Sequence, residues 1–272
     1  MKPTEEHEIK VVPAPGQQIK LLTSLRSKST DELQDTLQGF IGTGQFSISL
    51  EGTKTINDVY YDTEDLQLFE IHSLLRVRHV GDATKLIIKT LTSQSAGELK
   101  RAEHEFNISA QELKDLESTN FKQYVDVHFP ELSGRSFSKL ISVRNDRLNY
   151  LLVRETESFR LSLDQFVLVN AANGKASNQL YEIELEALNA DASVQLPIIK
   201  PNLLKLVKNS RFSNSSKYER GVRHFHLDQA YWKQALSAWS TGPGLNWLGL
   251  ILNLAGIALT VFGLYLTIQA KP

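Results

Sequence analysis

The 272 residues are 41% hydrophobic and 22% charged, a globular balance sufficient for one large domain or two small ones. Net charge is −1, so whole-chain electrostatics predict no nucleic-acid partner, and any strong field must come from local segregation of charge. Cysteine is absent, which excludes disulfides and thiol-ligated zinc.

The first ten residues, "MKPTEEHEIK", lack the apolar core of a signal peptide. Two-residue alternation predicts strands at "EHEIKV", "FSISLEG", "NDVYYDT", "LLRVRHV", "TKLIIKT", "RAEHEFNI", "RLNYLLVR", "SFRLSLDQF" and "LYEIELEAL". Helices are fewer. "STDELQDTLQGFI" spaces Ser29 and Glu32 as a capping box ahead of Leu33, Leu37, Phe40 and Ile41 on one face, and "SAQELKDLES" repeats the box with Ser109 and Glu112. "PNLLKLVKNS" puts Pro201 where a first helical turn tolerates it. Many antiparallel strands with few helices make an α+β fold built on a large sheet or a closed barrel.

Residues 1–228 read as one domain, and 229–244 as a juxtamembrane connector carrying Trp232 and Trp239. From Leu245 to Ile268 there is no charge, and about 20 apolar residues suffice to cross a bilayer. Trp247 and Tyr265 near its ends suit the membrane interface, so 245–268 is expected to be a single transmembrane helix at the C-terminus. Gly249, Gly256 and Gly263 recur every seven residues and could bring two such helices together as a homodimer. The expected location is a membrane, with the preceding domain facing the cytoplasm.

Read by face, the strands carry their charges in register. Glu6, Glu8 and Lys10 share one side of the first strand, and Arg76 and Arg78 share one side of "LLRVRHV", with Leu75 and Val77 opposite. Lys85 and Lys89, then Arg101, Glu103 and Glu105, then Arg160 and Asp164, and finally Glu182, Glu184 and Glu186 repeat the scheme. A single charged face means little, because half-exposed antiparallel strands point charges at water. Six such faces, several with like charges two residues apart, need opposite charge between them. A closed barrel with the charges inside supplies it. Basic side chains would grip a polyanion, and clustered carboxylates would hold hard divalent cations such as Mg²⁺ or Mn²⁺.

These segments, in this order, resemble the CYTH or triphosphate tunnel metalloenzyme superfamily. The resemblance rests on Glu6–x–Glu8–x–Lys10, "VYYDTEDLQLF", "LLRVR", "IIKT", "KRAEHEF", "RNDRLNY", "FRLSLDQ", "YEIELEAL" and "SKYERGV", from about residue 5 to 226. The late acidic strand and "SKYERG" look closest to bacterial inorganic triphosphatases. The resemblance implies an eight-stranded antiparallel tunnel with helices packed outside, binding a triphosphate and one or two divalent metals. It implies phosphate contacts from Lys10, Arg76, Arg78, Lys89, Arg147, Arg160 and Lys217, with Arg144 competing with Arg147. It implies metal ligation by Glu6, Glu8, Asp164, Glu184 and Glu186, with Glu103 or Glu105 ordering the site. Glu182 is expected at the tunnel mouth, Lys85 at the rim, and Arg220 on a helix with either role open. The implied activity is hydrolysis of a triphosphate, with Glu6, Glu8 and Lys10 at the chemistry. Membrane-attached polyphosphate polymerases and adenylate cyclase-like enzymes are the alternatives.

Overall fold

The alternation resolves into β1 (Thr4–Pro13), β2 (Ser47–Thr63), β3 (Leu74–Val80), β4 (Ala83–Ser95), β5 (Glu98–Asn107), β6 (Phe137–Arg154), β7 (Glu157–Asn170), β8 (Leu180–Ala187) and β9 (Ser210–Phe212). The helices are α1 (Thr30–Gln38), α2 (Gln67–Glu70), α3 (Ala110–Ser118), α4 (Lys122–His128), α5 (Ala190–Leu206) and α6 (Lys217–His224). The computed structural model describes residues 4–13, 26–38, 46–95, 98–206 and 210–229. Contacts divide the chain into two units, Met1–Phe225 and His226–Pro272, and the strands and helices named here belong to the first.

Strand order β5-β4-β3-β2-β6-β7-β8-β1 closes on itself because β1 also pairs with β5, and every pairing is antiparallel. The result is the expected eight-stranded barrel, with short β9 attached to the end of β1. Two predicted strands, "FSISLEG" and "NDVYYDT", are one strand of 17 residues, bent by an irregularity between Leu50 and Gly52. Gly52 has φ +125°, a conformation that side chains disfavour, which explains glycine there.

Closure sorts the two faces. Ile183 and Leu185 of β8, Leu161 and Leu163 of β7 and Leu152 of β6 turn outward and are covered by Ala192, Leu196, Ile199 and Leu203 of α5. Across the barrel, Leu75, Val77, Leu86 and Ile88 are covered by Leu116 of α3, Val125 of α4 and Phe129. Burying these apolar faces under helices is the main favourable term for the fold, and it leaves the charged faces to the interior.

The boxes at Ser29–Glu32 and Ser109–Glu112 form as expected. Pro201 does not open a helix: α5 begins eleven residues earlier, where the Ala192 N–H donates to Asn189 Oδ1. Pro197 and Pro201 both lie on its exposed side, where water can satisfy the carbonyls that lose their partners. Among the described residues no helix is long and apolar enough to cross a membrane; the expected span 245–268, and the connector from 230, lie outside them.

One clamp joins the barrel to two helices. The buried Asp62 carboxylate accepts the N–H groups of Thr63, Leu68 and Phe69, holding α2, and the Tyr218 hydroxyl of α6 at 2.5 Å. Ser216 and Glu219 cap α6 reciprocally, and Tyr218 stacks on Tyr60 with ring centroids 5.6 Å apart. A Cβ added at Gly221 would lie 2.7 Å from Ile141 Cγ2 on β6, so the helix seats only because this residue lacks one. Gly221→Ala is therefore expected to cost about 1–3 kcal/mol in a urea melt. An unchanged midpoint would mean that α6 does not sit against β6 in this way.

Candidate active site

The barrel interior contains a polar cavity of about 170 Å³, lined by eight cations, Lys10, Arg76, Arg78, Lys89, Arg101, Arg147, Arg160 and Lys217, and six carboxylates, Glu6, Glu8, Glu103, Glu105, Glu184 and Glu186. Seven strands and the first turn of α6 supply these charges, and β2 adds Tyr60 to the lining. Each does so because inward positions recur every second residue along a strand.

The cavity has a deep end and a mouth. On β8, Glu182 is wholly buried, Glu184 nearly so, and the Glu186 side chain keeps 29% exposure. Glu182 therefore lies at the closed end rather than at the mouth. The reason is α6, which lays Lys217 and Arg220 against it, with Lys217 Nζ at 2.7 Å and Arg220 Nη2 at 3.0 Å. Lys85 and Glu105 pair at 2.6 Å with about two-fifths of each side chain exposed, which makes them rim charges. Arg144 does not reach the site. It lies three residues from Arg147 on β6, so the strand alternation turns it to the opposite face, where it is exposed.

The cations are held with unequal firmness. Arg147 forks onto Asp164, Nε at 2.7 Å and Nη2 at 2.6 Å, and also contacts Glu184. Arg78 forks onto Asp58 at 2.8 Å through both nitrogens. Arg160 meets Glu51 through Nε at 2.8 Å and Glu186 through Nη1 at 3.2 Å. Arg76 has looser partners, Asp58 at 3.4 Å and Glu103 at 3.6 Å, and Arg101 approaches Glu8 at 3.5 Å. The Nε atoms of both Arg76 and Arg101 are buried without a hydrogen-bond partner. Buried donors left unsatisfied are costly, so these two are the best placed to gain from a polyanion. Lys89 pairs with Glu6 at 2.5 Å and Glu103 at 3.1 Å.

Asp58 and Glu51 carry no role in the sequence reading, and Arg101 enters it only as one charge of a strand face, without an assigned contact. Asp58 shares its face with Tyr60 and Asp62, and Arg101 shares its face with Glu103, so alternation alone marks both. Glu51 gives no such signal, because the irregularity at Leu50/Gly52 breaks the count.

The carboxylates divide into two groups. Asp164, Glu182 and Glu184 each place an oxygen within 4.8 Å of the others, a spacing suited to a metal. Lys217 Nζ already sits among them, at 2.7, 2.7 and 3.0 Å. Burial would raise the Glu184 carboxyl, but Arg147, Lys10 and Lys217 hold it well below the usual range, and Arg147 and Lys217 keep Asp164 down in the same way. This cluster is already neutralised.

Glu8 and Glu186 are not, and Glu6 beside them is paired with Lys89. Glu8 and Glu186 are direct cross-strand partners of β1 and β8, a repulsive juxtaposition. Burial and then the Glu6 charge push Glu8 up, and the same two causes push Glu186 up to about 7, although Arg160 opposes. Glu6 itself overcomes its burial through Lys89 and Lys10 and is drawn down to about 2. Glu6, Glu8 and Glu186 make an all-oxygen donor set in which two of the three carboxylates lack compensating charge; it fits a hard divalent cation, which these three residues would hold.

A closed antiparallel tunnel with a polyelectrolyte interior defines the class of protein. The chain belongs to the CYTH domain family, whose profile matches residues 25–222. Among solved structures it is similar to HpAC1 from Hippeastrum, described as having a dominant triphosphatase activity: TM-score 0.51, 20% identity, 80% of this chain and 96% of that one covered. It is also similar to an adenylate cyclase assignment from Bacillus halodurans (TM-score 0.47, 17% identity, 81% and 98% covered) and to the Pct1 RNA triphosphatase of Schizosaccharomyces pombe (0.37, 12%, 77% and 86%). At these identities the likeness to HpAC1 concerns the fold. No curated protein matches the chain in sequence.

A raised carboxylate destabilises the folded state once pH exceeds its unfolded value. The native state then binds more protons than the unfolded one, so stability falls as pH rises from about 4.5 through 7. In the metal-free protein, Glu186→Gln should therefore add about 1–3 kcal/mol at about pH 8, a gain that shrinks through pH 5 and is gone near pH 4. It should also reduce the rise in melting temperature on adding Mg²⁺. A gain independent of pH would refute the strain at Glu186.

Proposed function

We propose that the tunnel hydrolyses a triphosphate, inorganic tripolyphosphate or a triphosphorylated small molecule, with Mg²⁺ or Mn²⁺. The observation that carries this reading is that neutralisation inside one cavity is incomplete on its basic and its acidic sides at once. Arg76 and Arg101 lie deep with unsatisfied donors, and Glu6, Glu8 and Glu186 form an oxygen-rich corner beside them. Such a cavity complements a polyanion and a hard cation together.

The residues' roles follow from their geometry. Arg76, Arg78, Arg101, Arg147, Lys10, Lys89 and Lys217 fix the phosphate oxygens, and since phosphoryl transfer asks for positioning and charge neutralisation, this is the larger part of the work. A divalent cation held by Glu6, Glu8 and Glu186 would supply further neutralisation and a water of lowered pKa. Asp58 and Asp164 orient Arg78 and Arg147 through their forks, and α6 brings Lys217 to the deep end.

Two observations favour a short triphosphate over the alternatives. Among the described residues Lys217 and Arg220 cover Glu182, which disfavours the passage of a polyphosphate chain past α6 and so chain extension. Among the described lining residues only Tyr60 and Leu74 could receive a nucleobase, which disfavours a cyclase. The late acidic strand keeps the affinity with bacterial inorganic triphosphatases. We further take 1–228 as the tunnel domain, 229–244 as connector and 245–268 as a bilayer-spanning tail with the tunnel in the cytoplasm and a homodimer through the tail.

Phosphorus NMR of the full chain in detergent, with tripolyphosphate, ATP or thiamine triphosphate, separates the readings: orthophosphate release is expected, not chain growth or cyclic nucleotide. Glu8→Gln should lower turnover about 100-fold or more while tripolyphosphate binding changes little. Proportionate loss of both would remove Glu8 from the chemistry. For the tail, the expressed chain should stay with membranes through alkaline carbonate washing; release into the wash would refute a spanning segment.

A further inference from the structure

The arginine at the mouth is occupied by an acidic group of the protein itself. Glu51 Oε2 takes Arg160 Nε at 2.8 Å and its Oε1 lies 3.5 Å from Nη2. That edge of the guanidinium is the one that fits two oxygens of a phosphate. Arg78 and Arg147 are engaged on the same edge, but by Asp58 and Asp164, which are buried at 2% and 0% exposure and locked in place. Glu51 keeps 29% of its side chain exposed, so it can swing into water when another anion arrives.

The backbone puts Glu51 there deliberately. Leu50 pairs with Tyr150 and Gly52 with Asn149, so Glu51 is an extra residue with no partner on β6. Counting back from Asp58 by twos, Glu51 would face outward. The bulge resets the alternation: Ile48 joins the outer core with Tyr150 and Leu152, and Glu51 turns in toward Arg160 on β7. A bulge that re-aims one carboxylate onto one arginine calls for a role.

We propose that Glu51 is a positioning residue that acts as a built-in competitor for Arg160. It keeps the mouth neutral and yields only to an anion that brings more charge than a carboxylate, such as a terminal phosphate of a polyphosphate. The inference rests on the triphosphate reading and adds a determinant of affinity at the mouth to it. An entering phosphate replaces Glu51 on the Nε edge, and on departure Glu51 returns, so every ligand that engages Arg160 is weakened by the same internal competition.

The test uses the full chain in detergent with EDTA, so that no turnover occurs, and calorimetry with tripolyphosphate. Glu51→Gln should tighten binding about tenfold. Glu51→Asp keeps the charge but shortens the reach, and should tighten it as well; a value equal to the wild type would mean that only the charge of the mouth matters, overturning the contact role. In an Arg160→Ala background the Glu51→Gln change should fall within about twofold of no effect. Unchanged affinity in Glu51→Gln, or an effect that persists without Arg160, would overturn the proposal. The triphosphatase reading fails separately, if wild-type protein binds tripolyphosphate but releases no orthophosphate once Mg²⁺ or Mn²⁺ is restored.

Discussion

Mutual neutralisation of ionic side chains inside a closed barrel is the constraint on which this molecule depends. Desolvating so many charges would be prohibitive if each stood alone, because an unpaired buried charge costs several kcal/mol. The barrel solves this by interleaving cations and carboxylates from different strands: Lys10 lies between Glu8 and Glu184 at 3.0 Å from each, and Lys217 among three carboxylates. Close pairing is in turn possible only because the apolar faces turn outward under α3, α4 and α5. Fold and site therefore share one cause, the two-residue alternation.

The neutralisation is graded along the tunnel. At the deep end, Asp164 and Glu182 are saturated by Arg147, Arg220 and Lys217, and the arrangement is structural as much as chemical. In the corner formed by β1 and β8 it is incomplete, and Glu8 and Glu186 face each other with too little positive charge nearby. A site that is strained where a cation belongs and under-coordinated where an anion belongs is preorganised for both, since ligand binding relieves what folding left unresolved.

Much of this was legible in the residues. The inward faces of β1, β3, β5 and β8 could be read by alternation, because regular strands keep their count. What could not be read has physical reasons. Arg144 and Arg147 are equally basic, and an odd separation guarantees that only one faces inward; register with Asp164 on β7 decides it, and register is a tertiary fact. The place of Glu182 on its strand does not distinguish mouth from closed end; α6, packing Lys217 and Arg220 against it, does. The Ser216–Glu219 box that starts α6 follows the same S-x-x-E pattern as the two boxes that were recognised, so that helix start was within reach. The bulge at Glu51 was not, since nothing but Gly52 marks it.

The place of β1 has a consequence for the history of each molecule. The first strand of the chain lies between β5 and β8, so its partners on one side arrive only with Leu180–Ala187. Until then Glu6, Glu8 and Lys10 have no closed interior to occupy, and the sheet has an open seam. Sequence-distant pairing of this kind is slow to nucleate. During synthesis, β1 must wait for β2 through β7 to emerge before β8 can close the seam beside it.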